Sequence, residues 1–249
     1  VVVVVPHSAA TAVAPRESHL ITGGTGGLGL LTGESLAQGG AREVVLASRS
    51  GKLSEASLGG MSTGAVFRVA HCDVGDEFDV RHAITSWMQS AAGTLGGVWH
   101  AAGVLADGLI GSQSAPTLRR VYAPKAHGAW ALHAACSKTP LNAMVMFSSI
   151  AAVFGGGGQA NYAAANSCLD ALAAVRHACG TPGSSVQWGP WADVGMAAGG
   201  NVNARLQAAG FGLNTVEQGV QAWRAALGPT TPSVLTAVVV SWGKLLATL

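Results

Sequence analysis

Residues 20 to 31 read LITGGTGGLGLL: a short apolar run, a cluster of glycines, then the start of a second apolar run. The stretch fits Gly-x-Gly-x-x-Gly at Gly24, Gly26 and Gly29. It also fits Thr-Gly-x-x-x-Gly-x-Gly at Thr22, Gly23, Gly27 and Gly29. Glycines placed directly after a strand let the backbone turn sharply and approach a pyrophosphate closely, and a helix N-terminus beyond them stabilises the negative charge. A glycine pattern alone also describes an ordinary turn. Here a strand precedes it and a helix follows, which is the context a dinucleotide site requires.

The same alternation of strand and helix continues along the chain. Strands are expected at 19–22, 43–48, 65–70, 96–103, 143–148, 184–189 and 233–240. EVVLAS (43–48) is β-branched and apolar throughout, the mark of a parallel strand buried on both faces. Helices are expected at 28–39, 76–91, 115–136, 162–179 and 215–227. The first ends at Gly39-Gly40, and the third is capped by Ser114 and bent at Pro124. A Gly/Pro-rich loop fills 189–203, and residues 1–18 read as a linker ahead of a domain at 19–249. Alternation of this kind specifies an α/β fold, a doubly wound parallel sheet with helices on both faces, in a single domain.

Composition narrows the function classes. Of the 249 residues, 49% are hydrophobic and 10% charged, against a typical quarter charged. Such a chain buries a large core and leaves little charge for its surface, which fits a piece cut from, or packed against, something larger. The net charge of +2 comes without a basic block, so no nucleic-acid partner is expected. Apolar runs are broken well before membrane-spanning length, and Val1 to Val5 is too short for a signal-peptide core. The four cysteines show no CxxC spacing and read as reduced, buried thiols of a cytoplasmic protein. The eight histidines show no metal-ligand spacing, so no metal site is expected.

About 20 residues past the last glycine, an NAD-binding chain carries an acid for the ribose 2′-hydroxyl. This chain has Ser48-Arg49 there. A guanidinium at that place can grip a 2′-phosphate, so NADPH is favoured over NADH, although a solvated loop arginine would look the same. HCDV (71–74) ends the third strand. Asp73 there either accepts hydrogen bonds from the adenine edge or caps the turn.

Residues 147 to 166 read FSSIAAVFGGGGQANYAAAN. Two hydroxyls here can do chemistry. Ser149 ends the fifth strand and so faces the crevice at the carboxyl end of the sheet. Tyr162 begins the next helix, with Asn166 one turn on along the same face. A phenol with a pKa of about 10 is a weak acid at neutral pH and needs a nearby cation. The stretch holds none. Of the chain's four lysines, Lys52, Lys125, Lys138 and Lys244, Lys125 sits beside Pro124 in the long helix before the fifth strand and can point into the same crevice.

The short-chain dehydrogenase/reductase superfamily pairs a serine with Tyr-x-x-x-Lys. Here the motif is Tyr162-Ala-Ala-Ala-Asn166, with the lysine upstream at Lys125. This exchange resembles the ketoreductase domains of modular polyketide synthases and the related domain of animal fatty acid synthase. The resemblance runs from residue 19 to 243 and includes TGGTGGLG, HAAGVLADG, APKAHGAWALH, WGPWADVGMA and VVVSW. It implies a Rossmann domain of the short-chain reductase type. It implies a catalytic set of Lys125, Ser149, Tyr162 and Asn166, in which Tyr162 protonates the carbonyl oxygen, Ser149 hydrogen-bonds it, Lys125 lowers the phenol pKa and Asn166 positions Lys125 or a water. It implies cofactor contacts from Thr22, Gly23, Gly24, Thr25, Gly26, Gly27, Leu28, Gly29, Ser48, Arg49, Asp73, Val74, Ala101, Ala102 and Gly103. Substrate-facing residues are expected at Leu105, Asp107, Phe154, Gln159, Trp191 and Met196, the last two as parts of a lid.

The implied activity is NADPH-dependent reduction of a β-ketoacyl thioester on the phosphopantetheine arm of an acyl carrier protein. The implied partners include other synthase domains and a structural ketoreductase half that this chain is too short to contain. Leu105-Ala106-Asp107 is a partial match to the Leu-x-Asp of the B-type group, usually Leu-Asp-Asp, because its middle acid is alanine, and Phe154 stands where the other group has tryptophan. The D-configured alcohol is the implied product, and Ala164 in place of proline points away from the subtype that inverts an α-methyl branch. A free-standing reductase of small ketones and a redox-silent scaffold domain are the rival readings.

Overall fold

A computed structural model of the chain describes residues 17–54, 57, 59–61, 64–89, 94–192, 194, 201–228 and 231–248. Strand β1 (Ser18–Thr22) leads through the glycine turn into α1 (Gly27–Gln38), then β2 (Glu43–Ser48) and β3 (Val66–His71). Helix α2 (Glu77–Gln89) and β4 (Leu95–His100) follow. A helical run then spans α3 (Ala115–Tyr122), a π-turn (Ala123–His127) and α4 (Gly128–Ala135). Strand β5 (Ala143–Ser149), short helix α5 (Ala151–Phe154), α6 (Ala160–Ala178) and β6 (Ser184–Trp188) come next. Helix α7 (Asn201–Ala208), β7 (Phe211–Gly212), α8 (Val216–Ala226), β8 (Val234–Ala237), β9 (Val239–Val240) and α9 (Trp242–Thr248) complete the chain.

Seven strands form one sheet in the order β3-β2-β1-β4-β5-β6-β8, and every pairing in it is parallel. The connections reverse direction between β1 and β4, so the carboxyl ends of those two strands open a crevice where a ligand can sit. Side chains alternate across the sheet. Trp99, Val145 and Phe147 pack on one face with Leu36 and Trp223, while Val98 and Met144 pack on the other with Val80, Ile84 and Leu132. Strands β1 and β4 are buried along their whole length, whereas β3 at the edge alternates with solvent.

Elements with strong local signals fall where the sequence places them, and β2 matches residue for residue. Strand β1 includes Ser18, one residue into the expected linker, and residues 1–16 lie outside the described residues. Three differences concern the last third. The strand expected at 233–240 is two strands. Val239–Val240 leaves the sheet and pairs antiparallel with Phe211–Gly212, because Phe211, Val240, Ile150 and Leu245 close a small core of their own. A continuous valine run does not reveal such a break. Helix α7 extends out of the expected loop 189–203, and α9 was not expected. Cys72 and Cys136 are buried as expected, but Cys168 and Cys179 are exposed, on and just after the solvent side of α6. Among the described residues no helix is long and apolar enough to cross a membrane.

Trp188, Trp191 and Trp223 form an aromatic cluster, with ring centroids 5.0 to 6.1 Å apart. Gly219 of α8 lies against the Trp191 ring so closely that a Cβ would overlap it. Alanine there would add about 1 kcal/mol of helix propensity. The ring is fixed between two others and has nowhere to go, and overpacking of this kind costs about 1–3 kcal/mol or more. Gly219→Ala is therefore expected to lower Tm by several degrees in a thermal melt. An unchanged or raised Tm would show that the cluster yields easily.

Candidate active site

The glycine turn is built so that only glycine fits at two of its corners. Gly23 has φ +67°, and a Cβ on it would stand 2.8 Å from Ala102 Cα. Gly24 lies equally tight on β2, where a Cβ would be 2.7 Å from Leu46 Cα. The turn therefore nests against β2 and against the segment leaving β4. Between them opens a cleft of about 440 Å³, walled by Gly23, Thr25, Gly26, Gly27, Leu28, Gly29, Ser48, Arg49, Asp73, Val74, Ala101, Ala102 and Gly103. All of these are expected cofactor residues.

Two expected cofactor residues stand behind the wall. The hydroxyl of Thr22 is turned to His100, and Gly24 supplies close approach to β2 rather than cleft surface. Cys72, Val104 and Pro124 line the cleft without having been expected. Asp73 does cap a turn: its Oδ1 accepts from the Gly75 N–H at 3.0 Å.

The far end of the cleft abuts the reactive groups. A Cβ on Gly103 would be 2.8 Å from Cε of Lys125. Lys125 reaches inward because of the π-turn. Ser114 and Thr117 cap α3 reciprocally, but Pro124 has no N–H for the ladder, and a wide turn results where a helix would otherwise run straight. Lys125 is only 3% exposed. Its Nζ donates to the Phe147 carbonyl and to Asn166 Oδ1, each at 2.8 Å. Asn166 Nδ2 donates to the Tyr162 carbonyl at 2.8 Å, and the lysine nitrogen lies 5.1 Å from the centroid of the Tyr162 ring. The four expected catalytic residues are thus brought together from the π-turn, the end of β5 and the first two turns of α6.

Electrostatics differ from the sequence expectation. Burial pushes the Tyr162 phenol above its ordinary value. Hydrogen bonding to Asn166 and Ser149 pulls it down, and the carboxylate of Asp107 adds to the rise. Burial also draws the Lys125 amine down to about 7, with Asp170 opposing. Burial therefore works against the fixed ammonium that was expected to depress the phenol. Removing the amine from water costs its charged form more than the neighbours return.

Of the expected substrate residues, Leu105 packs beside Tyr162 with Val121 and Ala151. Asp107 Oδ2 accepts from Gln159 Nε2 at 3.1 Å. Phe154 packs against Phe211 with the rings tilted by 60° and their centroids 5.2 Å apart. Trp191 is corrected: it is 4% exposed and belongs to the tryptophan cluster beneath α8, where its large ring fills the core instead of lining a lid. Met196 lies outside the described residues.

Sequence reading missed three polar residues. Asn161 donates to the Ala106 carbonyl at 2.8 Å and ties the loop bearing Leu105 and Asp107 to the tyrosine helix. Asp170 continues the Tyr162–Asn166 stripe by one more turn and accepts from Ser185 and Gln187 at 2.6 and 2.8 Å. The i, i+4, i+8 spacing was the available signal. His100, at the end of β4, bonds the backbone of Lys125.

A parallel sheet with a glycine turn at its switch point, a cleft for a dinucleotide and a tyrosine-lysine-serine-asparagine cluster at the cleft's end define a nicotinamide-dependent oxidoreductase of the short-chain dehydrogenase/reductase type. A family model described as the KR domain matches residues 17–193. The chain is 40% identical over 247 residues, 94% of its length, to polyketide synthase GfsA of Streptomyces halstedii. It is 34% identical over 232 residues, 90% of its length, to the phthioceranic/hydroxyphthioceranic acid synthase of Mycobacterium tuberculosis (strain CDC 1551 / Oshkosh). It spans 3% and 11% of those proteins. Among solved structures, the ketoreductase from the first module of phoslactomycin biosynthesis in Streptomyces sp. HK803 superposes with TM-score 0.87 at 35% identity, over 94% of this chain and 55% of that one. The first ketoreductase of the tylosin synthase gives 0.83 at 34%, over 94% and 51%. The chain belongs to the ketoreductase domain family of polyketide synthases, and it is an oxidoreductase.

Proposed function

We propose that this domain reduces a β-ketoacyl thioester, carried on the phosphopantetheine arm of an acyl carrier protein, to the β-hydroxyacyl thioester with NADPH. The observation that carries the proposal is the hydrogen-bonded run from Lys125 through Asn166 to Tyr162 at the end of the cleft. When bound, NADPH supplies the hydride that adds to the ketone carbon. The carbonyl π electrons then move to oxygen. Ser149 hydrogen-bonds that oxygen, and Tyr162 gives it a proton. The phenolate left behind is held by Ser149 and Asn166 until solvent reprotonates it. The low share of charged residues, 10% of the chain, and the small part it spans of its polyketide synthase relatives support work alongside other synthase domains, among which we place a structural ketoreductase half. A cytoplasmic setting accompanies that reading.

The approach of Asp107 to Gln159 at the mouth of the site, with Phe154 in place of tryptophan, supports B-type selectivity. The deciding experiment supplies NADPH with a carrier-bound β-ketoacyl thioester, and in parallel its free thioester and a small ketone. Predominant D-alcohol, formed fastest from the carrier-bound substrate, is expected. A preference for small free ketones would replace the proposal with the free-standing reductase reading, and L-alcohol would overturn the roles given to Asp107 and Phe154.

Arg49 lines the cleft at the end of β2, and among the described residues no salt bridge engages it. Hydrogen bonds to charged groups contribute about 1.5–3 kcal/mol. Arg49→Ala is expected to weaken NADPH binding by about 10- to 100-fold and to leave NADH nearly unchanged. Titration of both cofactors checks this, and equal losses would exclude a 2′-phosphate contact.

A further inference from the structure

His100 is completely buried at the end of β4, next to the cleft but outside its wall. Its two ring nitrogens have fixed and different partners. Nε2 lies 3.0 Å from the carbonyl oxygen of Lys125. A carbonyl only accepts, so Nε2 must carry the hydrogen. Nδ1 lies 2.7 Å from Thr22 Oγ1, and with the proton on Nε2 it must accept from that hydroxyl. Burial draws the imidazole down to about 4, so it is neutral throughout the working range. Thr22 closes β1 immediately before the glycine turn, and Lys125 sits in the π-turn. The imidazole therefore bridges the strand that carries the cofactor turn and the backbone that aims the lysine.

We propose that His100 is a positioning residue for ketone reduction: a neutral imidazole, locked by Thr22 as the Nε2–H tautomer, that holds the Lys125 carbonyl and thereby fixes the π-turn. The consequence runs along one chain of bonds. Thr22 donates to His100, His100 to the Lys125 backbone, Lys125 Nζ to Asn166 Oδ1, and Asn166 Nδ2 to the Tyr162 carbonyl. A buried polar chain is stable only when every member is satisfied. Without the imidazole donor the Lys125 carbonyl loses its tether across the β4 end, and the amine is free to drift from Asn166. Displacing a catalytic constellation by about 1 Å can cost up to 10²-fold in rate.

This inference rests on the ketoreductase reading, and the measurements separate the two. In His100→Leu, kcat for the β-ketoacyl thioester is expected to fall about 10- to 10²-fold, while KM and the NADPH dissociation constant change by about twofold or less. The amide nitrogen of glutamine overlays Nε2 and keeps the donor, so His100→Gln is expected to recover most of kcat. Nitrogen-15 NMR of the imidazole in the unaltered protein is expected to show the neutral Nε2–H tautomer from pH 8 to pH 5. A His100→Leu protein with normal kcat overturns the inference. If that variant does not fold, a His100→Gln protein as slow as one lacking the donor, or an Nδ1–H tautomer in the spectra, overturns it instead. Absence of ketone reduction in the unaltered protein would count against the proposed function, and the tautomer would still decide the role of His100.

Discussion

Tyr162→Phe is expected to bind NADPH as tightly as the unaltered domain and to lose about 10²- to 10⁴-fold in kcat, the range that general acid catalysis contributes. The change deletes one hydroxyl. The ring it leaves is buried against Val121, Ala151 and Ala165, so packing is retained and Tm should move little. Tyr162 is not among the residues that wall the cofactor cleft. The pH dependence is a second readout. Burial holds the phenol above its usual value of 10, so the acid form is present across the neutral range and is lost only as pH rises through that raised value. The unaltered enzyme should therefore show a rate decline at strongly alkaline pH that the phenylalanine variant lacks. Steady-state NADPH oxidation and a binding titration check both points. A near-normal kcat would remove Tyr162 from the reaction.

The fold was legible because β2 and β5 are apolar on both faces, and the glycine turn admits little but glycine where it meets Ala102 and Leu46. Those are local constraints, and local pattern reports them. The chain after β6 was less legible for the opposite reason. Val238 to Val240 is as apolar as any core strand, yet its partners Phe211 and Leu245 are set by tertiary packing. Trp191 shows the same limit in the site. A tryptophan in a glycine-rich loop reads equally well as a lid or as core, and only the Trp188–Trp223 cluster decides. The catalytic set came from the resemblance to polyketide ketoreductases, and the fold draws Lys125, Asn166 and Tyr162 together from separate elements. Its electrostatics were not legible, because the charge state of Lys125 depends on how deeply the π-turn buries it. His100 was hidden for a related reason: its role lies in a bond to a backbone carbonyl, which no side-chain pattern encodes.

Lys125→Met should lower kcat by about 10²-fold, the cost of letting a catalytic constellation shift by about 1 Å. Methionine matches the stem and removes the amine, leaving the Phe147 carbonyl and Asn166 Oδ1 without the hydrogens they accept. Asn166 is then free to turn, and Tyr162 loses its nearby positive charge. The pH profile carries the sign. The amine titrates near 7 because burial disfavours its charged form. A cation that assists proton donation is fully present below that value and fades above it. The unaltered domain should slow as pH rises through about 7, and the variant should be slow on both sides with no such step. Stability runs the other way. A lysine whose folded pKa is lowered from 10.5 destabilises the fold fully below pH 7, and this penalty shrinks as pH rises toward 10.5. Against it stand the two orphaned acceptors in the variant, at about 1–3 kcal/mol each. The Tm of Lys125→Met minus that of the unaltered protein should therefore be more favourable at pH 6.5 than at pH 9.5. A difference independent of pH, together with an unchanged rate profile, would show that no buried ammonium is formed at this site.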